Sequence, residues 1–409
     1  MHDGGTQENS TGTDEQRVPL TDTGTGTQST RPLARLRKHW LLTSAVALAL
    51  LATATTVPIV LADSGDDAPC QEIPASTRAL AKSPAAATRA LDPGEDLSRY
   101  DAVRELLIHG NPCGDGGAVL GQVVDAATRA TARGKPHTLA QARAAYAVVA
   151  AFDDDAVPSG AAPGVARVLA EYVVDANRFL SPDRDAYSPA VDAVAAAPDD
   201  TGWTTYGRFL APREAHADFE HTQPYSDVRA DPEALVGELA KDPEAFAILY
   251  DAERAYFAYY LERLTRDGAD PDYRPGKEKD GSPKSTTTWA DIDLEHLTDR
   301  IGSLMNHRAR YARDGTIPDL AAFDKAVREH TRGAYQAATR QVSSRPVMGD
   351  IAERPVSGPL SGDLADGRRQ LFAVLDAWAT ARKVPTERAT QLRQLIDDRY
   401  VRALWLTSY

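Results

Sequence analysis

The sequence predicts an all-α fold in which one N-terminal transmembrane helix precedes an extracytoplasmic multi-helix bundle of one or two lobes. Residues 40–62 contain no charged side chain over a length that can span a bilayer. In the rest of the chain, apolar residues recur at three- and four-residue steps, which is typical of amphipathic helices. Alternating stretches rich in Val, Ile and Thr, which are typical of strands, are lacking.

The apolar segment 40–62 reads WLLTSAVALALLATATTVPIVLA. At about 1.5 Å per residue, a helix of this length crosses a hydrocarbon layer about 30 Å thick. Basic residues precede it and acidic residues follow it: Arg31, Arg35, Arg37 and Lys38 before, Asp63, Asp66 and Asp67 after. Because Lys and Arg stay on the cytoplasmic side, we expect a signal-anchor helix in the cell membrane with the C-terminal domain outside.

The tail before this helix, residues 1–39, is predicted to be disordered and cytoplasmic, with a basic juxtamembrane end. Its Gly/Thr/Asp/Gln-rich first part contains few large apolar side chains that could repay the cost of ordering. A removed signal peptide is the alternative, since residues 60–62 resemble a cleavage site. The long tail and the full-length apolar run favour an anchor.

The net charge of −13 belongs to the part outside the membrane, because residues 1–62 contain five basic and five acidic residues. An acidic surface repels phosphate backbones, so nucleic acid is not an expected partner. The chain contains two cysteines, Cys70 and Cys113, both on the predicted outer side. A disulfide between them is the simplest interpretation in an oxidising compartment, and free thiols are the alternative.

The exported part is predicted to follow a linker at 63–74 and to contain a first lobe at 75–266, a charged loop at 267–288 and a second lobe at 289–409. A single bundle with a floppy insertion at the loop remains open. Helices are expected at 98–109, 117–133, 139–152, 163–180, 243–266, 293–313, 319–342, 363–382 and 387–406. Caps support their starts, as in Thr138 with Gln141 and in the Ser-Pro or Asp-Pro pairs Ser83-Pro84, Ser188-Pro189, Asp231-Pro232 and Asp242-Pro243.

The clearest helix, 243–266, carries an aromatic stripe that we expect to be core rather than a ligand groove. Its members are Phe246, Leu249, Tyr250, Phe257, Tyr260, Leu261 and Leu264. Glu253 stands on the same stripe. A carboxyl among apolar neighbours has a raised pKa, which makes Glu253 a candidate site residue. Pairing with an arginine at the stripe's edge is the alternative.

The densest ionisable run spans 213–221 and contains His216, Glu220 and His221. Imidazoles and carboxylates are metal ligands, so these residues are candidates for a site. The two histidines are five residues apart, however, which places them on different faces of a helix. We therefore favour a solvated polar segment over a metal site, and we expect no cofactor.

Enzyme motifs are not found in the sequence. It contains no G-x-S-x-G, no E-x-x-H, no P-loop and no dinucleotide-binding glycine pattern. The favoured prediction is a membrane-anchored module that binds an unknown protein or envelope partner, or supports envelope assembly, without catalysis. The alternative is an exported hydrolase that uses dispersed carboxylates and histidines in acid–base or metal-assisted chemistry.

Overall fold

A computed structural model describes residues 69–153, 155–178, 188–193, 209–211, 213–222, 228–273, 277–282, 289–360 and 362–406. The described residues lie in one compact unit, Asp67–Tyr409. Helix accounts for 57% and strand for 4%, which agrees with the predicted all-α class. The predicted tail 1–39 and anchor 40–62 lie outside the described residues. In the part that is described, no helix is both long and apolar enough to cross a membrane.

Over the residues that the structure describes, the elements are helices and one small strand pair. They are α1 (Ala75–Leu80), α2 (Pro84–Leu91), α3 (Tyr100–Leu107), α4 (Gly116–Thr128), α5 (Leu139–Ala151), α6 (Ala162–Glu171), α7 (Val173–Ala176), β1 (Ala190–Asp192), β2 (Ala215–Ala217), α8 (Pro232–Leu239), α9 (Pro243–Arg263), α10 (Trp289–Asp314), α11 (Leu320–His330), α12 (Met348–Ala352), α13 (Arg368–Arg382) and α14 (Thr386–Leu406).

Helix α9 lies at the centre and contacts α6, α10, α11, α12 and α13. Asp242 caps its first turn by accepting a hydrogen bond from the backbone N–H of Ala245, as the Asp-Pro signal predicts. All seven residues of the predicted aromatic stripe are buried, so the stripe is core. One hydrophobic cluster extends from Ala87 to Tyr400. The division into lobes at 267–288 stays a prediction.

Helices α4 and α6 run in the same direction and approach closely through glycines. A Cβ atom on Gly164 would lie 2.2 Å from the carbonyl oxygen of Gly121, so only glycine permits this separation. Near the other end, the hydroxyl of Tyr172 donates to the carbonyl of Thr128. The two helices therefore end side by side, and their C-termini form one wall of the candidate site.

Two secondary-structure predictions were wrong. Ser188-Pro189 precedes a strand instead of a helix: β1 pairs antiparallel with β2, with Val191 opposite His216. The helix predicted at 319–342 ends at His330, where Gly333 adopts φ +110°. We call residues 331–342 the strap. The strap runs along α9, and in place of helical hydrogen bonds it bonds to the C-terminal end of α9. The amide of Val342 donates to the carbonyl of Glu262, for example.

The predicted disulfide is confirmed, with 4.9 Å between the Cα atoms of Cys70 and Cys113. The disulfide lies beside a small backbone bridge. In this bridge the amide of Gln71 donates to the carbonyl of Asn111, and the amide of Cys113 donates to the carbonyl of Gln71. This arrangement joins the N-terminal end of the described unit to the start of α4.

Candidate functional site

A histidine held between two glutamates forms the centre of the candidate site. The side chain of His137 is fully buried; its Nδ1 lies 2.6 Å from Oε1 of Glu214, and its Nε2 lies 3.1 Å from Oε1 of Glu171. Its ring also packs on Tyr172, with 4.5 Å between the ring centroids. Glu214 is fully buried, whereas Glu171 retains 13% side-chain exposure. This group therefore connects the protein interior to the surface.

Local structure explains how three distant segments meet here. The backbone of His137 continues the edge of β2, because its carbonyl accepts from the amide of Ala215. Glu214 directly precedes β2 and accepts hydrogen bonds from the backbone amides of His137 and Met348. Thr138 and Gln141 form the predicted capping box at the start of α5 and fix the chain just after the histidine.

The two carboxylates control the charge of the histidine. Burial by itself lowers the pKa of an imidazole, but the hydrogen bonds and negative charges of Glu171 and Glu214 outweigh it and raise the pKa of His137 to about 9. His137 is therefore protonated at neutral pH, and both ring nitrogens donate. For the carboxyl of Glu171, burial by itself raises the pKa. The contact with His137 more than reverses this effect, so the pKa of Glu171 lies below its ordinary value.

Glu171 is the member of this group that reaches the solvent. It ends α6, where the helix dipole disfavours a negative charge, and the His137 imidazolium compensates for that position. Its Oε1 also accepts from the amide of Ala130, while its Oε2 accepts no hydrogen bond from the described residues. Gly349 of α12 lies against it: a Cβ atom there would sit 2.4 Å from Oε1.

Glu171 lines a cleft between the C-termini of α4 and α6 on one side and α12, α9 and the start of the strap on the other. We call it the Glu171 cleft. Its two halves, of about 220 and 240 Å³, share Arg129, Glu171 and Glu353. The remaining ionisable lining residues are Arg167, Asp251, His330 and Arg332 in one half and Arg133, Lys135 and Asp350 in the other. Both signs of charge therefore line one small cleft.

Two of the sequence-predicted candidates, His216 and Glu253, are buried. His216 lies in β2, with its Nδ1 2.6 Å from Oδ1 of Asp175. Glu253 accepts hydrogen bonds from the amide nitrogen of Asn177 at 2.9 and 2.7 Å. Both candidates thus bond to one short segment, α7 and the residue after it. Burial raises the pKa of Glu253 to about 7.

The other two candidates lie apart. Glu220 is exposed, and His221 is buried with its ring beside that of Tyr146, whose hydroxyl donates to the His221 carbonyl. The expected solvated segment at 213–221 is therefore wrong for most of its ionisable side chains. In the described part of the chain, no group of three or more His, Cys, Asp or Glu residues is arranged to hold a metal ion.

Sequence reasoning missed the centre of the site. His137 is separated from Glu171 by 34 positions and from Glu214 by 77 positions. No local spacing can reveal such a group. The available signals were weak: Glu214 is the second residue of the dense ionisable run, and His137 directly precedes a capping box. Comparison of the chain with family models, with curated proteins and with solved structures gave no match.

Proposed function

We propose that this protein is a membrane-anchored extracytoplasmic helical module that binds a small charged ligand in the Glu171 cleft without catalysing its conversion. The observation that carries the proposal is the ionised Glu171 carboxylate, which faces the cleft and is held from behind by the buried His137–Glu214 pair. The uncharged run at 40–62 supports the anchor, and the Cys70–Cys113 disulfide suits an oxidising compartment.

The chemistry of the centre favours recognition over proton transfer. A general base needs a free lone pair and a pKa near the working pH. His137 donates from both ring nitrogens and has a pKa of about 9, while the pKa of Glu171 is depressed. Such a group keeps its charge and its position over the physiological pH range, as a binding site requires.

A ligand screen with matched variants tests the binding function. The full-length chain in detergent is heated with a panel of small cationic, anionic and zwitterionic compounds, and the melting temperature is recorded. At least one compound should stabilise the wild type and lose its effect in Glu171→Gln. Glu105→Gln is the control, because Glu105 is exposed on α3 and outside the cleft. A panel in which no compound depends on Glu171 contradicts the proposal.

Fractionation of the native cells tests the anchor separately. We expect the intact mass of the full-length chain in the membrane pellet, with the unit after residue 63 accessible to protease from outside. A species that begins near Asp63 and is free in the medium would contradict the anchor. In that case the cleft could still be tested on the released protein.

An exported hydrolase is the second candidate, and Glu253 is the observation in its favour. A buried carboxyl with a pKa of about 7 suits general acid catalysis. Glu253 does not line either half of the Glu171 cleft, however, which supports the binding module. Release of new amino or reducing groups from envelope material by the wild type, and not by Glu253→Gln, would favour the hydrolase.

A further inference from the structure

We infer that the ligand of the Glu171 cleft is a small zwitterion with a primary ammonium and a carboxylate, namely an amino acid or a short unblocked peptide. This inference rests on the proposed function and specifies its ligand. It follows from how the charges in the cleft are paired, from the size of the cleft and from its apolar floor.

Two carboxylates in the cleft are available to a ligand ammonium. Glu171 uses only Oε1 for protein hydrogen bonds, and its partner His137 is enclosed behind it. Glu353 is exposed, and no basic residue of the described chain lies within ion-pair distance of it. Because Glu171 and Glu353 line both halves, a ligand ammonium in either half has a carboxylate on the wall of that half.

Three guanidinium groups on the same cleft are available to a ligand carboxylate. Each already has one acidic neighbour: Arg129 with Asp125 at 2.9 Å, Arg167 with Glu244 at 3.2 Å, and Arg332 with Asp251 at 3.6 Å. Arg332 also donates from Nη2 to the hydroxyl of Tyr335 and to the carbonyl of Ala352. Because a guanidinium carries five N–H donors, each of the three still has donors for a ligand carboxylate. These arginines keep between 37% and 49% side-chain exposure. They can therefore accept an anionic group without breaking their existing pairs.

Ligands with one sign of charge fit this arrangement poorly. A plain carboxylate or phosphate bound to the arginines would leave the Glu353 carboxylate on the same cleft without a cation. A diamine between the glutamates would place its second ammonium near the guanidinium groups. A zwitterion pairs with both sets at once, and like-charge contact is avoided.

The dimensions indicate a small ligand with a small apolar side chain. The half that contains the three arginines has a volume of about 220 Å³, below the roughly 300–1,000 Å³ of clefts for drug-sized ligands, and only the two halves together reach that range. The half that contains the arginines also has an apolar floor formed by Ala170, Ile248, Ala252 and Ala352. This floor suits methyl or short aliphatic groups between the two charged ends.

Calorimetric titration with a matched set of probes tests the inference on the full-length chain in detergent. The probes are alanyl-alanine, its N-acetylated form, its C-terminal amide, succinate and putrescine. Unblocked alanyl-alanine should bind, and each blocking group should weaken binding by about 10- to 100-fold, the cost of one charge-assisted pair. Glu171→Gln should weaken the unblocked dipeptide but leave the affinity of the acetylated form unchanged. Glu105→Gln should change neither.

The other outcomes separate the two levels of the proposal. Equal affinity for blocked and unblocked dipeptides, or Glu171-dependent binding of succinate or putrescine alone, overturns the zwitterion and leaves a binding cleft. Failure of all five probes, together with a Glu171-dependent compound of another class in the thermal panel, also overturns only the zwitterion. If the thermal panel yields no such compound either, both proposals fail.

Discussion

At the scale of single residues, Glu253 shows how burial alone changes a carboxyl group. Its only hydrogen-bond partner among the described residues is the side chain of Asn177. Within that same part of the chain, the Oδ1 atom of Asn177 has no partner. One amide nitrogen bonding both carboxylate oxygens compensates little for lost solvation. The pKa of Glu253 therefore rises from 4.5 to about 7.

Glu253 should make the protein less stable as the pH rises. Between pH 4.5 and about 7 the folded chain holds a proton that the unfolded chain has lost, so the free energy of unfolding falls across this window by about 3 kcal/mol. Glu253→Gln should remove this slope and be more stable than the wild type above pH 7. Denaturant titrations from pH 4.5 to 8.5 measure the difference.

Two results decide this prediction. Glu105→Gln, which changes an exposed carboxyl, should keep the wild-type slope. A Glu253→Gln protein whose stability follows that of the wild type at every pH would show that Glu253 is ionised in the folded state at low pH.

His137 gives a pH dependence in the same direction at higher pH, but through a favourable interaction of its charged form. Its pKa rises from 6.5 to about 9 on folding, so the gain of about 3 kcal/mol is complete below pH 6.5 and is lost as the pH rises to about 9. His137→Gln should remove this dependence and cost about 3–5 kcal/mol at pH 6, because Glu171 and Glu214 lose their cation. Denaturant titrations between pH 6 and 9.5 measure both effects. An imidazole that titrates near pH 6.5 by NMR would contradict the account of the site.

At the scale of elements, the strap 331–342 depends on the backbone of Gly333. A Cβ atom there would lie 2.0 Å from the carbonyl oxygen of Gly358, and the φ of +110° is one that other residues rarely adopt. The carbonyl of Gly333 also accepts from the buried guanidinium of Arg254. This glycine therefore fixes where the chain leaves α11 and begins to follow α9.

Gly333→Ala should destabilise the fold and loosen the strap. Gly315 provides a matched control, since its φ is +85° and no heavy atom lies within 4 Å of an added Cβ. Gly315→Ala should cost about 1–3 kcal/mol of unfolding free energy, the price of backbone conformation alone. Gly333→Ala should cost about 1–3 kcal/mol more because of the added contact, and hydrogen exchange should rise at Ala338 and Val342. Equal costs for the two variants would contradict this role.

Elements with local signals could be predicted from the sequence. The caps at Thr138, Asp231 and Asp242 and the apolar stripe of α9 depend on residues a few positions apart, so their pattern is visible in one stretch. The strap could not be predicted, because its alanines favour a helix. Its actual course depends on the turn at Gly333 and on hydrogen bonds to the end of α9, which no local pattern indicates. The strands β1 and β2 span three residues each, too few for an alternating pattern.

At the scale of the whole molecule, the disulfide links the first residues of the described unit to the start of α4. Cys70 and Cys113 are 43 positions apart, which corresponds to about 4 kcal/mol in the chain-entropy model of the unfolded state. Reduction should lower the free energy of unfolding by that order. Denaturant titration with and without a thiol reductant measures it, with free thiols counted by mass after alkylation. Unchanged stability after complete reduction would contradict the expectation.

The candidate site is likewise a property of the whole molecule. His137, Glu171 and Glu214 come from three segments, and α12 supplies the amide of Met348 and the close approach of Gly349. Each of these residues is ordinary in its local sequence. Only the packing of α4, α6 and α12 brings them together, which is why the sequence indicated His216, Glu220, His221 and Glu253 instead.

The most direct test of the central claim is a map of ligand binding on the cleft itself. Alanine methyl groups line its floor at Ala170, Ala252 and Ala352, and Ala87 in α2 is a buried reference away from the cleft. The full-length chain with labelled alanine methyls is titrated with alanyl-alanine and followed by NMR. We predict saturable shifts at the three floor alanines, none at Ala87, and loss of these shifts in Glu171→Gln. Shifts confined to other alanines would contradict the Glu171 cleft as the binding site.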